Sequence, residues 1–213
     1  IQIRTRFEAE RLGYIVEKVA FAGKSVLDIG GNTGFFTFEL LDAGAASVHC
    51  YEGNREHAEF VSLAARELQL ANIRVTNGYF SFNGQHAERY DIALILNVLH
   101  HTGDDYGEGI ATIEGVLEDI LRQLNGMCEV AETLVFQLGF NWKGDAKQGL
   151  FTGGTKAEMI EFVKKGTAGF WDVLAVGVAE RCIDGIRYSD LSESNAGRDD
   201  TLGEFLNRPI FIL

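Results

Sequence analysis

An acidic residue and three glycines lie close together in the segment from Ser25 to Phe36, which reads SVLDIGGNTGFF. Asp28 falls within a short apolar stretch, and Gly30, Gly31 and Gly34 follow it directly. Glycine suits a turn at which the backbone takes a positive φ or approaches a ligand closely. The segment therefore predicts a strand, a tight turn and the start of a helix, with a ligand at the turn.

The spacing of the glycines limits which ligand this turn could bind. A dinucleotide fingerprint, GxGxxG, that began at Gly30 would need glycines in place of Asn32 and Phe35, and one that began at Gly31 would need glycine in place of Thr33. A Walker loop is excluded as well, because no Gly-Lys-Ser/Thr follows. A second acid, Glu52, ends the next predicted strand about 20 residues on, where ribose hydroxyls are bound in related sheets. The pattern favours a nucleoside without a pyrophosphate.

Alternating strand and helix patterns place these residues. Apolar runs predict strands, and apolar residues at three- and four-residue steps predict helices. Asn54 is a candidate N-cap, and the last third holds two strand patterns with no helix between them, typical of an antiparallel pair. The strands are expected at 25–29, 46–51, 73–77, 90–96, 130–138, 171–181 and 209–213. The helices are expected at 33–43, 54–70, 113–124 and 156–165, and a further helix at 5–21 within an N-terminal segment 1–22. A long polar loop is expected at 184–206.

The fold class that follows is α/β: one domain over 1–213, with a doubly wound, mostly parallel seven-stranded sheet, helices on both faces and a C-terminal antiparallel strand pair. With these motifs in order, the chain resembles the class I S-adenosylmethionine-dependent methyltransferases. VLDIGGNTG resembles their first motif, with Asn32 in place of the middle glycine, VHCYEGN their acidic second motif, and YDIALILNVLHH their fourth strand and the turn after it.

The resemblance implies S-adenosyl-L-methionine as the cofactor, S-adenosyl-L-homocysteine as its product, and a role for each motif residue. Glu52 would accept hydrogen bonds from both ribose hydroxyls, and Asp28 would hold the methionine amine through water. The family often has Gly-Asp after the third strand, whereas this chain has Gly78-Tyr79, so adenine recognition would depend on backbone groups and stacking. The implied cofactor residues are Asp28, Gly30, Gly31, Asn32, Gly34, Glu52, Gly53, Gly78, Tyr79, Phe80 and Asn97.

Two adjacent histidines follow the fourth strand, at the carboxyl edge of the sheet where ligands bind. Methyl transfer to an oxygen or amine requires loss of a proton, and a histidine can accept one at neutral pH. We favour His101 as the base; the alternative is that one of the pair, His100 or His101, only caps the following loop. The scattered His49, His57 and His86 indicate no metal cluster, so no metal is expected.

Two loops are candidates for binding the acceptor. Asp104 and Asp105 follow the histidines, and Asn141, Trp142 and Lys143 follow the fifth strand at the same edge. Carboxylates could hold a cationic acceptor, and the lysine a phosphate or carboxylate. The alternative is an ordinary solvated loop, although a tryptophan in a polar loop usually packs against something apolar.

Composition limits the partners. The net charge of −12 makes a nucleic acid partner unfavourable, since phosphates would meet repulsion over most of the surface. Cys50, Cys128 and Cys182 lie far apart in apolar segments without a CxxC pair, so buried thiols and a cytoplasmic, reducing location are expected. No membrane-spanning run or leader is expected, the oligomeric state is left open, and a start at Ile1 rather than Met is compatible with a piece of a longer polypeptide.

Three functions remain open at this point. The leading one is methyl transfer to an oxygen or nitrogen of a small polar metabolite, such as a sugar or a phosphorylated precursor. The second is methylation of tRNA, because the Leu99-His100-His101 turn is similar to that of enzymes that modify the wobble uridine. The third is a cofactor-binding domain that does not catalyse.

Overall fold

The structure, a computed structural model, describes residues 6–82, 86–103 and 109–213. The predicted alternation of strands and helices is confirmed, and most boundaries agree within a few residues. The strands are β1 (Ser25–Ile29), β2 (Ser47–Glu52), β3 (Ile73–Asn77), β4 (Tyr90–Leu96), β5 (Ala131–Gln137), β6 (Ala175–Cys182), β7 (Gly185–Asp190) and β8 (Ile210–Ile212). The helices are α1 (Glu8–Lys18), α2 (Phe35–Asp42), α3 (Arg55–Glu67), α4 (Ile113–Gly126), α5 (Lys156–Thr167) and α6 (Gly203–Leu206).

The strands form one sheet in the order β3-β2-β1-β4-β5-β8-β6-β7. The first five strands are parallel, and β8 enters antiparallel between β5 and β6. The order reverses between β1 and β4, where open α/β sheets leave a crevice at the carboxyl ends of the strands. This crevice contains the glycine turn.

The sheet has eight strands rather than the predicted seven, because part of the predicted loop at 184–206 is ordered. Strand β7 pairs antiparallel with β6 from Cys182 opposite Gly185 to Gly177 opposite Asp190. The connection consists of Ile183 and Asp184, and Gly185 begins β7 with a positive φ of 131°, which glycine adopts readily. The sequence pattern did not predict β7 because this segment is polar, as a strand at the edge of a sheet can be.

Apolar layers cover both faces of the sheet. Within β1, Val26 packs into a cluster with residues of α1 and α2, whereas Leu27 and Ile29 pack into a cluster with residues of α4 and α5. Alternate residues of a strand point to opposite faces, so burial on both sides produces the continuous apolar runs seen in the sequence. The doubly wound α/β fold is therefore confirmed.

Local signals also agree with the fold, with one correction. The side chain of Asn54 accepts hydrogen bonds from the backbone N–H groups of Glu56 and His57, so it is the N-cap of α3. The expectation of buried thiols is met by Cys50, whereas Cys182 is exposed, because it ends β6 beside the hairpin turn.

Within the described ranges, no helix combines the length and the apolar character needed to cross a membrane.

Candidate active site

A cavity of about 450 Å³ opens at the carboxyl ends of β1, β2 and β4. This volume lies within the usual range for small-molecule sites. We name its two ends after β2 and α1, the elements that contribute to each. The β2 end is formed by Glu52, Gly53, Tyr79 and Phe80, and the α1 end by Arg11, Phe36, Asn97 and Phe205; Asp28, Gly30, Gly31, Asn32, Gly78 and His101 also line the cavity.

The glycine turn requires its glycines for two different reasons. Gly30 and Gly34 have φ values of 76° and 85°, a backbone region that is costly for residues with a Cβ. Gly31 has no such φ, but a Cβ there would lie 2.4 Å from the Sγ atom of Cys50 on β2. Asn32 also takes a positive φ, of 52°, which asparagine tolerates better than most residues. The backbone therefore turns sharply while remaining packed on β2.

Glu52 connects the glycine turn to the start of α3. One carboxylate oxygen accepts a hydrogen bond from the backbone N–H of Asn32 at 2.7 Å, and the other accepts one from Asn54 at 2.7 Å. The side chain is buried but lines the cavity. A carboxylate has about four acceptor sites, so the two backbone bonds fix its orientation and leave capacity for hydroxyl donors.

Asp28 is a buried acid beneath the turn. Its carboxylate accepts a hydrogen bond from the Thr37 hydroxyl at 2.6 Å. Burial raises the pKa of Asp28 to about 6; the Thr37 hydrogen bond opposes this shift and the charge of Glu52 adds to it. Asp28 can therefore change its charge near neutral pH, and a cation in the cavity would favour the ionised form.

The β2 end presents aromatic rings beside Glu52. Tyr79 is 56% exposed, and its ring lies over Gly53, where a Cβ would be 2.3 Å from a ring carbon. Phe80 is buried and meets Tyr51 edge to face, with ring centroids 5.2 Å apart. The N–H of Gly78 donates to the backbone oxygen of Glu52 at 2.9 Å. This end could stack a planar heterocycle beside a hydroxyl-binding carboxylate.

Asn97 lines the α1 end in a left-handed backbone conformation, with φ 62°. Its side-chain amide is already engaged: Nδ2 donates to Oε1 of Gln137 at 2.8 Å, and Oδ1 accepts from Arg208 at 2.8 Å. The residue reaches the cavity as the sequence predicts. Its amide, however, organises the ends of β4 and β5.

The structure separates the two histidines. His101 is half-buried and lines the cavity, whereas His100 is buried and does not line it. The Nδ1 atom of His100 accepts a hydrogen bond from the N–H of Gly139 at 3.3 Å, and burial lowers the pKa of His100 far below its usual value. A neutral, enclosed imidazole has the structural role that the sequence left open for one of the pair. Of the pair, His101 lines the cavity, and the His100 ring packs against Gly139.

The loop after β5 supports this turn from behind. The indole N–H of the buried Trp142 donates to the backbone oxygen of Thr102 at 2.7 Å, and the Lys143 ammonium lies 4.6 Å from the centre of the Trp142 ring. Asn141 forms a bridge with Gly149. None of these three predicted acceptor residues lines the cavity. Asp104 and Asp105 lie outside the described residues, so their predicted role is not addressed.

Sequence reasoning missed the wall of the α1 end. Arg11, Phe36 and Phe205 come from α1, α2 and α6, elements far apart in the sequence. One signal was present: Arg11 stands four residues after Phe7 and three before Tyr14, on the apolar face of the predicted first helix. A charged residue on the buried face of a helix is a candidate for function.

In the three described stretches, no three His, Cys, Asp or Glu side chains are grouped so that they could hold a metal ion.

Known proteins resemble this chain in sequence motif and in fold. Residues 26–119 match a family model described as a methyltransferase domain. PH1948 from Pyrococcus horikoshii, a proposed RNA methyltransferase, superimposes with a TM-score of 0.56 and 16% identity, covering 99% of this chain and 86% of its own. The bifunctional kinase-methyltransferase WbdD superimposes with a TM-score of 0.61 and 16% identity. The match with WbdD covers 99% of this chain but only 40% of WbdD.

At such low identity these structures establish a shared fold. A search of curated protein sequences returns no match.

Proposed function

We propose that the chain is a class I S-adenosylmethionine-dependent methyltransferase and that it binds this cofactor in the cavity at the glycine turn. We further propose that it methylates an oxygen or nitrogen of a small polar metabolite. The observation that carries the proposal is Glu52, whose carboxylate is fixed by two backbone N–H groups beside aromatic rings.

The cavity residues fit each part of the cofactor. The remaining acceptor capacity of Glu52 suits two ribose hydroxyls, and Tyr79 and Phe80 would flank the adenine. Asp28, whose pKa is raised to about 6, would be held ionised by the cofactor's ammonium group. The turn from Gly30 to Asn32 would lie along the methionine portion.

The cofactor supplies an electrophilic methyl group on a sulfonium, and the chain must do the rest. It has to hold the acceptor atom in line behind the methyl carbon and exclude water. His101, which lines the cavity, would accept the proton that an oxygen or nitrogen acceptor loses. Trp142 keeps the backbone after His101 in place through its bond to Thr102. Placement and one proton transfer are thus the proposed contributions of the protein.

Charge supports a small acceptor over RNA. The net charge of −12 would repel a phosphate backbone, and the cavity volume of about 450 Å³ suits a cofactor with a metabolite-sized partner. The fold shared with PH1948 does not decide the substrate, because one fold accepts many acceptors.

The test is calorimetry followed by a methylation screen. We expect S-adenosylmethionine and S-adenosylhomocysteine to bind with one-to-one stoichiometry, and radiolabelled methyl to appear on a metabolite of a cell extract. Labelling of tRNA instead, with binding that weakens steeply as salt rises, would support the RNA alternative. Cofactor binding without transfer to any acceptor would indicate a non-catalytic domain. Absence of cofactor binding would remove the proposal altogether.

A further inference from the structure

Arg11 is a buried cation at the α1 end of the cavity. Its side chain is only 4% exposed, although the residue lies near the start of the first helix. The guanidinium lies between two aromatic rings, 5.1 Å from the centre of Phe36 and 5.2 Å from that of Phe205. The three side chains come from different helices, so their meeting at the cavity is a product of the tertiary fold.

Among the described residues, no carboxylate forms an ion pair with Arg11. Its Nη1 group donates a hydrogen bond to the neutral amide oxygen of Gln137, at 3.3 Å. The Nε atom of Arg11 is buried and, within the described part of the chain, has no hydrogen-bond partner. Leaving a buried guanidinium uncompensated costs folding free energy, so a reason for its retention is required.

The surroundings of Arg11 contrast with those of Arg208, a guanidinium that also lies over the Phe205 ring. Arg208 forms a salt bridge with Glu204 at 2.5 Å and also donates to Asn97. Gln137 cannot serve Arg11 in the same way, because its amide is neutral and its oxygen also accepts a bond from Asn97. One arginine is therefore paired within the protein, and the other faces the cavity with its charge available.

Glu8 is the acidic side chain of α1 that also lines the cavity. Its carboxylate accepts a hydrogen bond from the backbone N–H of Arg6 at 3.0 Å, and its charge opposes the lowering of the Arg11 pKa that burial causes. An arginine stays protonated in proteins in either case. Glu8 thus contributes to the field around Arg11 without forming an ion pair with it.

We propose that Arg11 is the binding residue for an anionic group, a carboxylate or phosphate, of the molecules that occupy the α1 end. The planar guanidinium suits such oxygens, and the two flanking rings fix its orientation. The anion could belong to the cofactor, as its methionine carboxylate, or to the acceptor. This inference rests on the proposed function, since the cofactor has to lie in the same cavity.

Calorimetry with two cofactor forms distinguishes the sources. S-adenosylmethionine and its decarboxylated form differ only in the carboxylate, and are titrated into the wild-type chain, Arg11→Met, Arg11→Lys and the control Arg66→Met on the exposed side of α3. If the anion is the cofactor's, the wild type and Arg66→Met bind the complete form at least ten-fold more tightly. Arg11→Met then loses this difference, and Arg11→Lys retains part of it.

A second titration addresses the acceptor. Inorganic phosphate and acetate are titrated into each variant, with and without S-adenosylhomocysteine. If the anion belongs to the acceptor, both cofactor forms bind equally, and phosphate or acetate binds the wild type at least ten-fold more tightly than Arg11→Met. Thermal unfolding checks that every variant is folded.

The inference is overturned if folded Arg11→Met matches the wild type in both titrations. Failure of the wild type to bind either cofactor form would instead contradict the proposed function, and the phosphate and acetate titrations of the protein alone would still test Arg11.

Discussion

The two ends of the cavity are built differently. The β2 end is assembled from residues close in sequence to the ends of β2 and β3, and its central group, Glu52, is held by backbone N–H groups. The α1 end is assembled from side chains of α1, α2 and α6 together with the ends of β4 and β5. One end depends on backbone geometry, and the other on side chains that long-range packing brings together.

The two ends therefore differ in how far they depend on the identity of their side chains. Backbone donors stay in place when side chains change, so the β2 end can hold the same ligand part in many sequences. Side chains such as Arg11 and Phe205 can be exchanged without altering the turn. The comparison therefore predicts that variants of Glu52 at the β2 end change cofactor affinity, whereas variants of His101, the proposed proton acceptor, change turnover.

The largest expected effect tests His101 as the proton acceptor. Replacing His101 by alanine should lower kcat by about 10²–10⁴-fold, because it removes the proposed proton acceptor while leaving the cofactor residues intact. Cofactor affinity, measured by calorimetry on the same variant, is the internal control and should change little. Equal losses of turnover and cofactor affinity would contradict the assignment of His101 as the proton acceptor.

The next effect tests the β2 end. Glu52→Gln should weaken binding of S-adenosylmethionine by about 100-fold, because an amide cannot accept from two backbone N–H groups and two hydroxyls at once. Glu56→Gln, at an exposed position in the first turn of α3, is the matched control. An unchanged dissociation constant for Glu52→Gln would show that the ribose is not bound there.

A smaller effect concerns the packing of the glycine turn on β2. Gly31→Ala should lower the free energy of unfolding by about 1–3 kcal/mol, because the new Cβ would overlap the Sγ atom of Cys50. Denaturant titration measures the loss. The double variant Gly31→Ala with Cys50→Ala should recover part of it, since the second change removes the overlapping sulfur. Additive losses would place the strain elsewhere.

The smallest effect is a pH dependence with opposite signs for stability and binding. Asp28 has its pKa raised to about 6 by burial, so between pH 6 and about 4 the folded state holds a proton that the unfolded state lacks. The Asp28 contribution to stability therefore rises as pH falls through this window. Binding of the cofactor's ammonium should weaken over the same window, by up to about ten-fold, as the carboxylate is neutralised.

Asp28→Asn is the comparison variant for this prediction. Subtracting its pH profiles from those of the wild type isolates Asp28, because other groups that titrate in the window are shared. If the two proteins show parallel profiles for both unfolding and cofactor binding, Asp28 does not titrate as the structure indicates.

The five parallel strands, the glycine turn and the position of Glu52 could be predicted from the amino-acid sequence. Apolar runs and glycines act locally: a strand buried on both faces needs continuous apolar residues, and the turn after Asp28 needs glycine wherever φ is positive. Glu52 follows from the same logic, since it ends the strand beside that turn. Strand β7 was missed because an edge strand can be polar.

Other features of the site depend on long-range packing in the folded chain. This packing enclosed His100 against Gly139 while leaving His101 at the cavity, although the two are adjacent in sequence. It placed the Trp142 indole against the backbone of Thr102 and outside the cavity lining. It also brought Arg11 between Phe36 and Phe205. These outcomes depend on which side chains meet across the fold, and contacts between residues far apart along the chain leave no periodic signal in the sequence.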